Sequence, residues 1–263
     1  MVLPQSHRGD FQPSMTAKQK YKFSCFTIQG TSSFAVSLFS YYLYFLTQKR
    51  FGFDDKNNLA LAAVLGIVTA LAAWQGGKFA ERRGRFAALK LGFVVMIFAL
   101  LIGSQFDSAA GLILSAALMA VGGTCLWPAL EALVSEGENV AGIQRAVGIY
   151  NVSWAATNAL GLFCGGTLVE KFGYKSIFYI PFVLSVAMLA WTFALEKFAD
   201  QFPHAKISKD DSAPPEPNRP SPARAKAFLK MAWLANPLAY VAIQTLTAVL
   251  PGIALKFHLS PMI

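Results

Sequence analysis

"GGKFAERRGRFAALK", Gly76 to Lys90, gathers five basic residues and one acid into fifteen positions. The flanks are the opposite. From Leu59 to Gly77 there is no Asp, Glu, Lys or Arg, and between Lys90 and Asp107 there is none either. A hydrocarbon layer of about 30 Å is crossed by about 20 apolar residues at 1.5 Å each, so both flanks have the length and composition of membrane-spanning helices. The charged stretch between them reads as a tight turn at one membrane face. Of the 263 residues, 55% are hydrophobic and 14% charged, too few charges to clothe a soluble fold of this size.

Working outward from that turn, seven spans can be placed. They run from about Phe23 to Phe45, Leu59 to Gly77, Phe86 to Ser104, Ala109 to Val134, Ala146 to Val169, Ile177 to Leu195 and Phe228 to Leu250. The first six are joined by short connections, which makes neighbours antiparallel. The connection after the sixth, "ADQFPHAKISKDDSAPPEPNRPSPARAKA", Ala199 to Ala227, is rich in proline and charge and reads as a flexible linker. The expected organisation is all-α and polytopic: a polar tail at 1–22, a six-helix domain at 23–198, a linker at 199–227, and the opening helix of a second membrane domain at 228–263.

The net charge of +9 raises the question of nucleic acid. The basic residues sit between apolar spans and form no amphipathic face, so nucleic acid is not an expected partner, whereas the lipid bilayer is. Cys25, Cys125 and Cys164 all fall inside spans, and His7, His204 and His258 are scattered, so no disulfide framework or metal-ligand set is expected. The segment ahead of Phe23 is polar, and the span after it is too long for a cleaved leader. With the N-terminus inside, seventeen Lys and Arg fall on the inner face and six on the outer. That bias predicts a cytoplasmic tail, charged turn and linker, as in a multi-pass protein of a bacterial-type inner membrane.

Basic residues at an inner face anchor topology. They do not explain an acid at Glu81 among basic neighbours, or glycines at Gly77 and Gly84. Gly84 offers the positive φ that a sharp reversal between packed helices requires. Here "GKFAERRGR" resembles the loop motif of the major facilitator superfamily, usually written G-x-L-A-D-R-x-G-R-[RK]. Gly77, Ala80, Arg82, Gly84 and Arg85 match; Glu81 stands for the aspartate, Phe79 for the leucine, and Phe86 departs from the final basic position. The resemblance implies two six-helix halves, of which this chain carries the first and one helix of the second. It also implies a secondary transporter that works by alternating access, with Glu81, Arg82 and Arg85 holding the cytoplasmic helix ends together in one state. In the fifth span "GLFCGGTL", with Gly161, Gly165 and Gly166, resembles the family's G-P-x-x-G-G-x-L antiporter motif with Leu162 for the proline. Close packing of small residues explains the same glycines. The embedded arginine of proton-coupled members has no counterpart, since no Lys or Arg lies between Lys90 and Arg145.

Glu131 is the one acid inside a span. A buried charge there requires a partner, for which Arg85 is the leading candidate; the other reading is a substrate or proton site facing a cavity. Polar residues recur at helical spacing in the first span (Gln29, Ser33, Ser37, Ser40, Tyr44) and in the seventh (Asn236, Tyr240, Gln244, Thr247). The resemblance puts these two spans in equivalent places around a central cavity. Asn151, Trp154 and Asn158 in the fifth span suit a neutral, hydrogen-bonding ligand such as a sugar or nucleoside, or else bonds between helices.

The function expected is transport of a small organic solute, with a coupling ion as a further candidate partner and no bound cofactor or covalent chemistry. Drug efflux is the other substrate class. A membrane assembly module without transport is the second hypothesis, and an intramembrane enzyme, for which only Glu131 is available, the third. Seven spans where the family has about twelve imply a truncated chain, a second chain supplying the missing helices, or a protein that does not transport.

Overall fold

The computed structural model describes residues 15–201 and 222–259. The tail ahead of Met15 and most of the expected linker lie outside the described residues. Within them the chain forms seven α-helices and no strand: α1 (Ala17–Phe51), α2 (Asp55–Arg83), α3 (Arg85–Gln105), α4 (Ala109–Ser135), α5 (Val140–Phe172), α6 (Ser176–Asp200) and α7 (Pro222–Lys256). Short connections make α1 to α6 an up-and-down bundle. α1, α3, α5 and α7 begin at one end, the charged end, where α2, α4 and α6 finish.

The helices overrun the apolar spans. α1 starts at Ala17, inside the expected tail, because Thr16 and Gln19 form a reciprocal capping box that satisfies the first backbone amides. It stops where Gly52 takes the left-handed conformation, with φ of 67°. α7 starts at Pro222, inside the expected linker, as proline favours a first helical position.

Among the described residues six helices, α2 to α7, are long and apolar enough to cross a membrane. α1, expected as the first span, does not reach that hydropathy, and its surroundings explain why it need not. It packs against α4, α5, α6, α7 and α2, and its polar residues Gln29, Ser32, Ser33, Ser37 and Thr47 are buried against protein. A helix shielded by its neighbours can carry side chains that lipid would reject.

α3 and α4 form the closest pair. Gly92 and Gly122 face each other so tightly that a Cβ on Gly92 would lie 2.8 Å from the Gly122 carbonyl oxygen, and one on Gly122 would lie 2.9 Å from that of Gly92. Ser115 donates to the Ala99 carbonyl at 2.7 Å, and Phe93, Met96, Leu126 and Leu130 fill the seam. Phe39 of α1 meets Phe178 of α6 edge to face at 5.9 Å between ring centres.

At the opposite end Thr47 donates to Asn58 Oδ1 at 2.7 Å, both side chains buried, joining α1 to α2. Arg50 pairs with Asp107, and the Lys49 ammonium sits 4.9 Å from the Tyr174 ring centre. There too α7 docks on α2 and α1 through buried Thr247, Ala248 and Ala254, while Gly252 lies flush on the Asp55 carboxylate. Ahead of Thr247 the described side chains of α7 are exposed.

Candidate functional site

The charged stretch Gly76–Lys90 is almost entirely helical. α2 runs on to Arg83, α3 starts at Arg85, and Gly84 alone makes the break, with φ of 92° and ψ of 159°. A side chain would be strained at that φ, so the sequence reading of Gly84 as the reversal point agrees with the backbone. The glycine on which close packing depends is Gly76 and not Gly77. A Cβ on Gly76 would lie 3.0 Å from the Thr124 carbonyl oxygen of α4, whereas one on Gly77 would meet nothing within 4 Å.

Four cations of this end are bound within the bundle. Arg85 Nη1 lies 3.2 Å from Glu136 Oε2 and donates to the Ala132 carbonyl at 3.2 Å. The expected pairing of Arg85 with Glu131 is therefore corrected. Glu136 sits just past the last turn of α4, within reach of the first residue of α3. Lys22 pairs with Glu138 and donates to the Val134 carbonyl at 2.9 Å, and Lys18 Nζ lies 2.9 Å from Glu138 Oε1. Lys90, the last basic residue of the charged stretch, bonds both oxygens of Glu196 on α6, at 3.0 and 2.9 Å. Glu136 and Glu138, two residues apart in the α4–α5 connection, thus tie down the starts of α3 and α1. No sequence pattern of charge alone identifies that pairing, but the Thr16–Gln19 capping box marks the helical start that carries Lys18 and Lys22 to it.

Hydrogen bonds from Lys22 and then Lys18 hold the Glu138 carboxyl below its ordinary value of 4.5. A depressed folded-state value means that the tie contributes fully above the ordinary carboxylate value and is lost as pH falls through the lowered one. Acidification below pH 4.5 should therefore lower the thermal midpoint of the detergent-solubilised chain. Glu138→Gln should start lower, by no more than about 1 kcal/mol because Lys18 is exposed, and should lack this part of the acid dependence. Parallel melts at descending pH check both.

The remaining charged residues of the motif face outward. Glu81 and Arg82 are exposed and make no ion pair among the described residues. Glu131 is likewise exposed, on a face of α4 that includes Pro128, near the Tyr150 hydroxyl that donates to the Trp127 carbonyl at 3.4 Å.

The interior polar residues divide. Gln29, Ser33 and Tyr44 are buried inside the bundle; Gln29 Nε2 donates to Ser33 Oγ at 3.2 Å. Gln29 Oε1 and Ser32 Oγ have no hydrogen-bond partner among the described residues. Asn151 is exposed, Trp154 half-buried, and Asn158 donates to the Trp154 carbonyl of its own helix at 2.9 Å. Tyr240 and Gln244 are exposed on α7, and the side chain of Asn236 lies outside the described residues. Gly161, Gly165 and Gly166 are buried. A Cβ at Gly161 would strike the Ser37 hydroxyl, one at Gly165 the Tyr42 ring, and the Tyr42 hydroxyl donates to the Leu162 carbonyl at 2.8 Å. Of the two readings of these glycines, the geometry displays close α1–α5 packing.

No curated protein matches the chain in sequence. The fold is similar to that of the peptide transporter POT in complex with sulfate, with a TM-score of 0.59 and 20% identity, covering 86% of this chain and 46% of that one. It is similar to the same transporter's E310Q mutant in complex with alafosfalin, with a TM-score of 0.57 and 21% identity over 85% of this chain and 46% of that one. A POT family transporter in complex with a thioalcohol-conjugated peptide gives a TM-score of 0.54 and 18% identity over 88% of this chain and 47% of that one. The chain spans about half the length of these transporters, and at such identities the likeness is one of fold. The sequence model of the Major Facilitator Superfamily matches residues 26–263, from within α1 onward. This multi-pass membrane chain, with its one-glycine break between α2 and α3, therefore belongs to the major facilitator superfamily.

Proposed function

We propose that this chain forms the first half, and the opening helix of the second, of a secondary transporter that moves a small organic solute by alternating access. In this reading the charged end faces the cytoplasm of a bacterial-type inner membrane. The observation that carries it is the division of labour at that end. Arg85, Lys18, Lys22 and Lys90 bind acids within the half and make it one body, while Glu81 and Arg82 point away from it. Charge-assisted bonds from Glu81 and Arg82 to the partner half would latch the cytoplasmic side shut in one state and break in the other, as the halves rock about a midplane cavity.

The exposed surfaces of α2, α5 and α7 support the same reading. About five further helices, from the same polypeptide or a second chain, would cover them. The solute favoured is neutral and hydrogen-bonding, since α1 carries no basic residue between Lys22 and Lys49 and the exposed polar side chains of Asn151, Tyr240 and Gln244 are uncharged. A small peptide, as bound by one structural neighbour, meets that description only in net charge, as a zwitterion whose amide groups hydrogen-bond. Asn151, Tyr240 and Gln244 are exposed where a second half would close the cavity, and Glu131 is the group most suited to a coupling ion. No covalent step belongs to this mechanism.

Counterflow of a labelled dipeptide or sugar in proteoliposomes tests the proposal. The chain extended by the remaining helices of the second half should show saturable counterflow, and Glu81→Gln should slow it. Equal flux from the 263-residue chain alone would overturn the half-carrier reading.

A further inference from the structure

On its outer side the charged end carries a groove of about 520 Å³ between α2, α3 and α4. Lys78, Arg82 and Arg83 line its mouth, and no acid does; Glu81, on the same turn of α2, is not part of the wall. None of the three cations has a carboxylate partner among the described residues. Further along the helices the wall turns apolar, with Ala72, Leu91 and Val121. The groove exists because Gly76 lets α2 lie directly on the α4 backbone, so that α2 and α3 both rest on α4 with a channel between them. Beside the mouth the exposed Trp74 ring holds the Lys78 ammonium 3.7 Å from its centre, an arrangement suited to the level where acyl chains give way to headgroups.

We propose that this groove is a binding site for an anionic phospholipid, its phosphate and headgroup among Lys78, Arg82 and Arg83 and an acyl chain along Ala72, Leu91 and Val121. Charge complementarity selects the occupant. Three cations without a carboxylate partner disfavour the ammonium of a zwitterionic headgroup, and the apolar continuation of the wall has no use for a free inorganic anion. Each basic residue near an anionic surface contributes about a fivefold preference, and three partly screened by water should give a preference on the order of tenfold over phosphatidylcholine.

The test uses the whole chain in nanodiscs of phosphatidylcholine carrying a minor fraction of phosphatidylglycerol brominated on its acyl chains. The fluorescence lost relative to a Trp74→Phe variant isolates the quenching of Trp74. Brominated phosphatidylglycerol should quench Trp74 at about a tenth of the mole fraction that brominated phosphatidylcholine requires. The triple change Lys78→Gln, Arg82→Gln and Arg83→Gln should abolish the difference. Lys78→Arg, Arg82→Lys and Arg83→Lys together should keep it, which separates loss of charge from loss of fold. Removing three exposed cations elsewhere at the same end, by Lys20→Gln, Arg145→Gln and Lys197→Gln, should leave it intact. Equal quenching by the two lipids, or equal loss in the control triple, would overturn the site, as would displacement by soluble glycerol phosphate. Arg82 serves both proposals, so Glu81→Gln separates them: it should slow counterflow and leave lipid selectivity intact, and since the readout here is selectivity and not flux, equal quenching by the two lipids overturns the lipid site alone.

Discussion

Gly122→Val should abolish the native α3–α4 pair and yield a chain that unfolds or aggregates in mild detergent. A Cβ at this position would lie 2.9 Å from the Gly92 carbonyl oxygen and 3.3 Å from the Met96 amide nitrogen, both backbone atoms of the facing helix. Backbone cannot swing aside as a side chain can. The helices would have to part, losing the Ser115–Ala99 hydrogen bond and the packing of Phe93, Met96, Leu126 and Leu130. Overpacking of a filled interface costs about 1–3 kcal/mol, and the upper end is expected where backbone must move. Gly66→Val is the control: a Cβ there meets nothing within 4 Å, so only the small intrinsic preference of the helix changes. Thermal unfolding of the two variants beside the parent decides the matter. A Gly122→Val chain that melts like the parent would show that the two backbones do not approach this closely.

The second large effect is expected from charge reversal between α3 and the α4–α5 connection, measured in the completed carrier. Arg85→Glu sets a new carboxylate against that of Glu136 and leaves the Ala132 carbonyl without its donor. Glu136→Arg sets two guanidinium groups together. Either change alone should lower counterflow about tenfold, equivalent to about 1.4 kcal/mol, and the double exchange should recover most of it. The pair is partly exposed, at 42% and 30% of the side-chain surface, so the losses should shrink as salt is raised. Glu131→Arg placed beside Arg85→Glu should rescue nothing. Rescue by position 131 and not 136 would reverse the assignment.

That assignment shows where sequence reading reaches and where it stops. The helical bundle was legible because long charge-free runs have one stable environment, and the turn because Gly84 sits among charges between two such runs. The partner of Arg85 was not. Sequence pointed to Glu131 as the only acid within a span, but a long arginine at the first position of a helix reaches past the end of its neighbour, where Glu136 waits. Lys18 and Lys22 looked like solvated tail residues because hydropathy falls away before Phe23; the helix in fact starts at Ala17, capped by Thr16 through chemistry that hydropathy does not measure. The α1 polar stripe was legible as a periodicity. Its periodicity could not say whether it would look onto a cavity or onto protein, because that depends on which helices stand beside it. Gly161 and Gly165 could be recognised as unusual, but only the nearby Ser37 and Tyr42 side chains display what they accommodate.

The single-residue break at Gly84 has a mechanical corollary. With no slack between them, α2 cannot rotate without turning α3, and α3 in turn is clamped to α6 by Lys90 and Glu196. Torque delivered to the tip of α2 would thus pass around the outer rim of the bundle like force through a crank, so that a probe on α6, far from the groove and the latch, should register the same stroke.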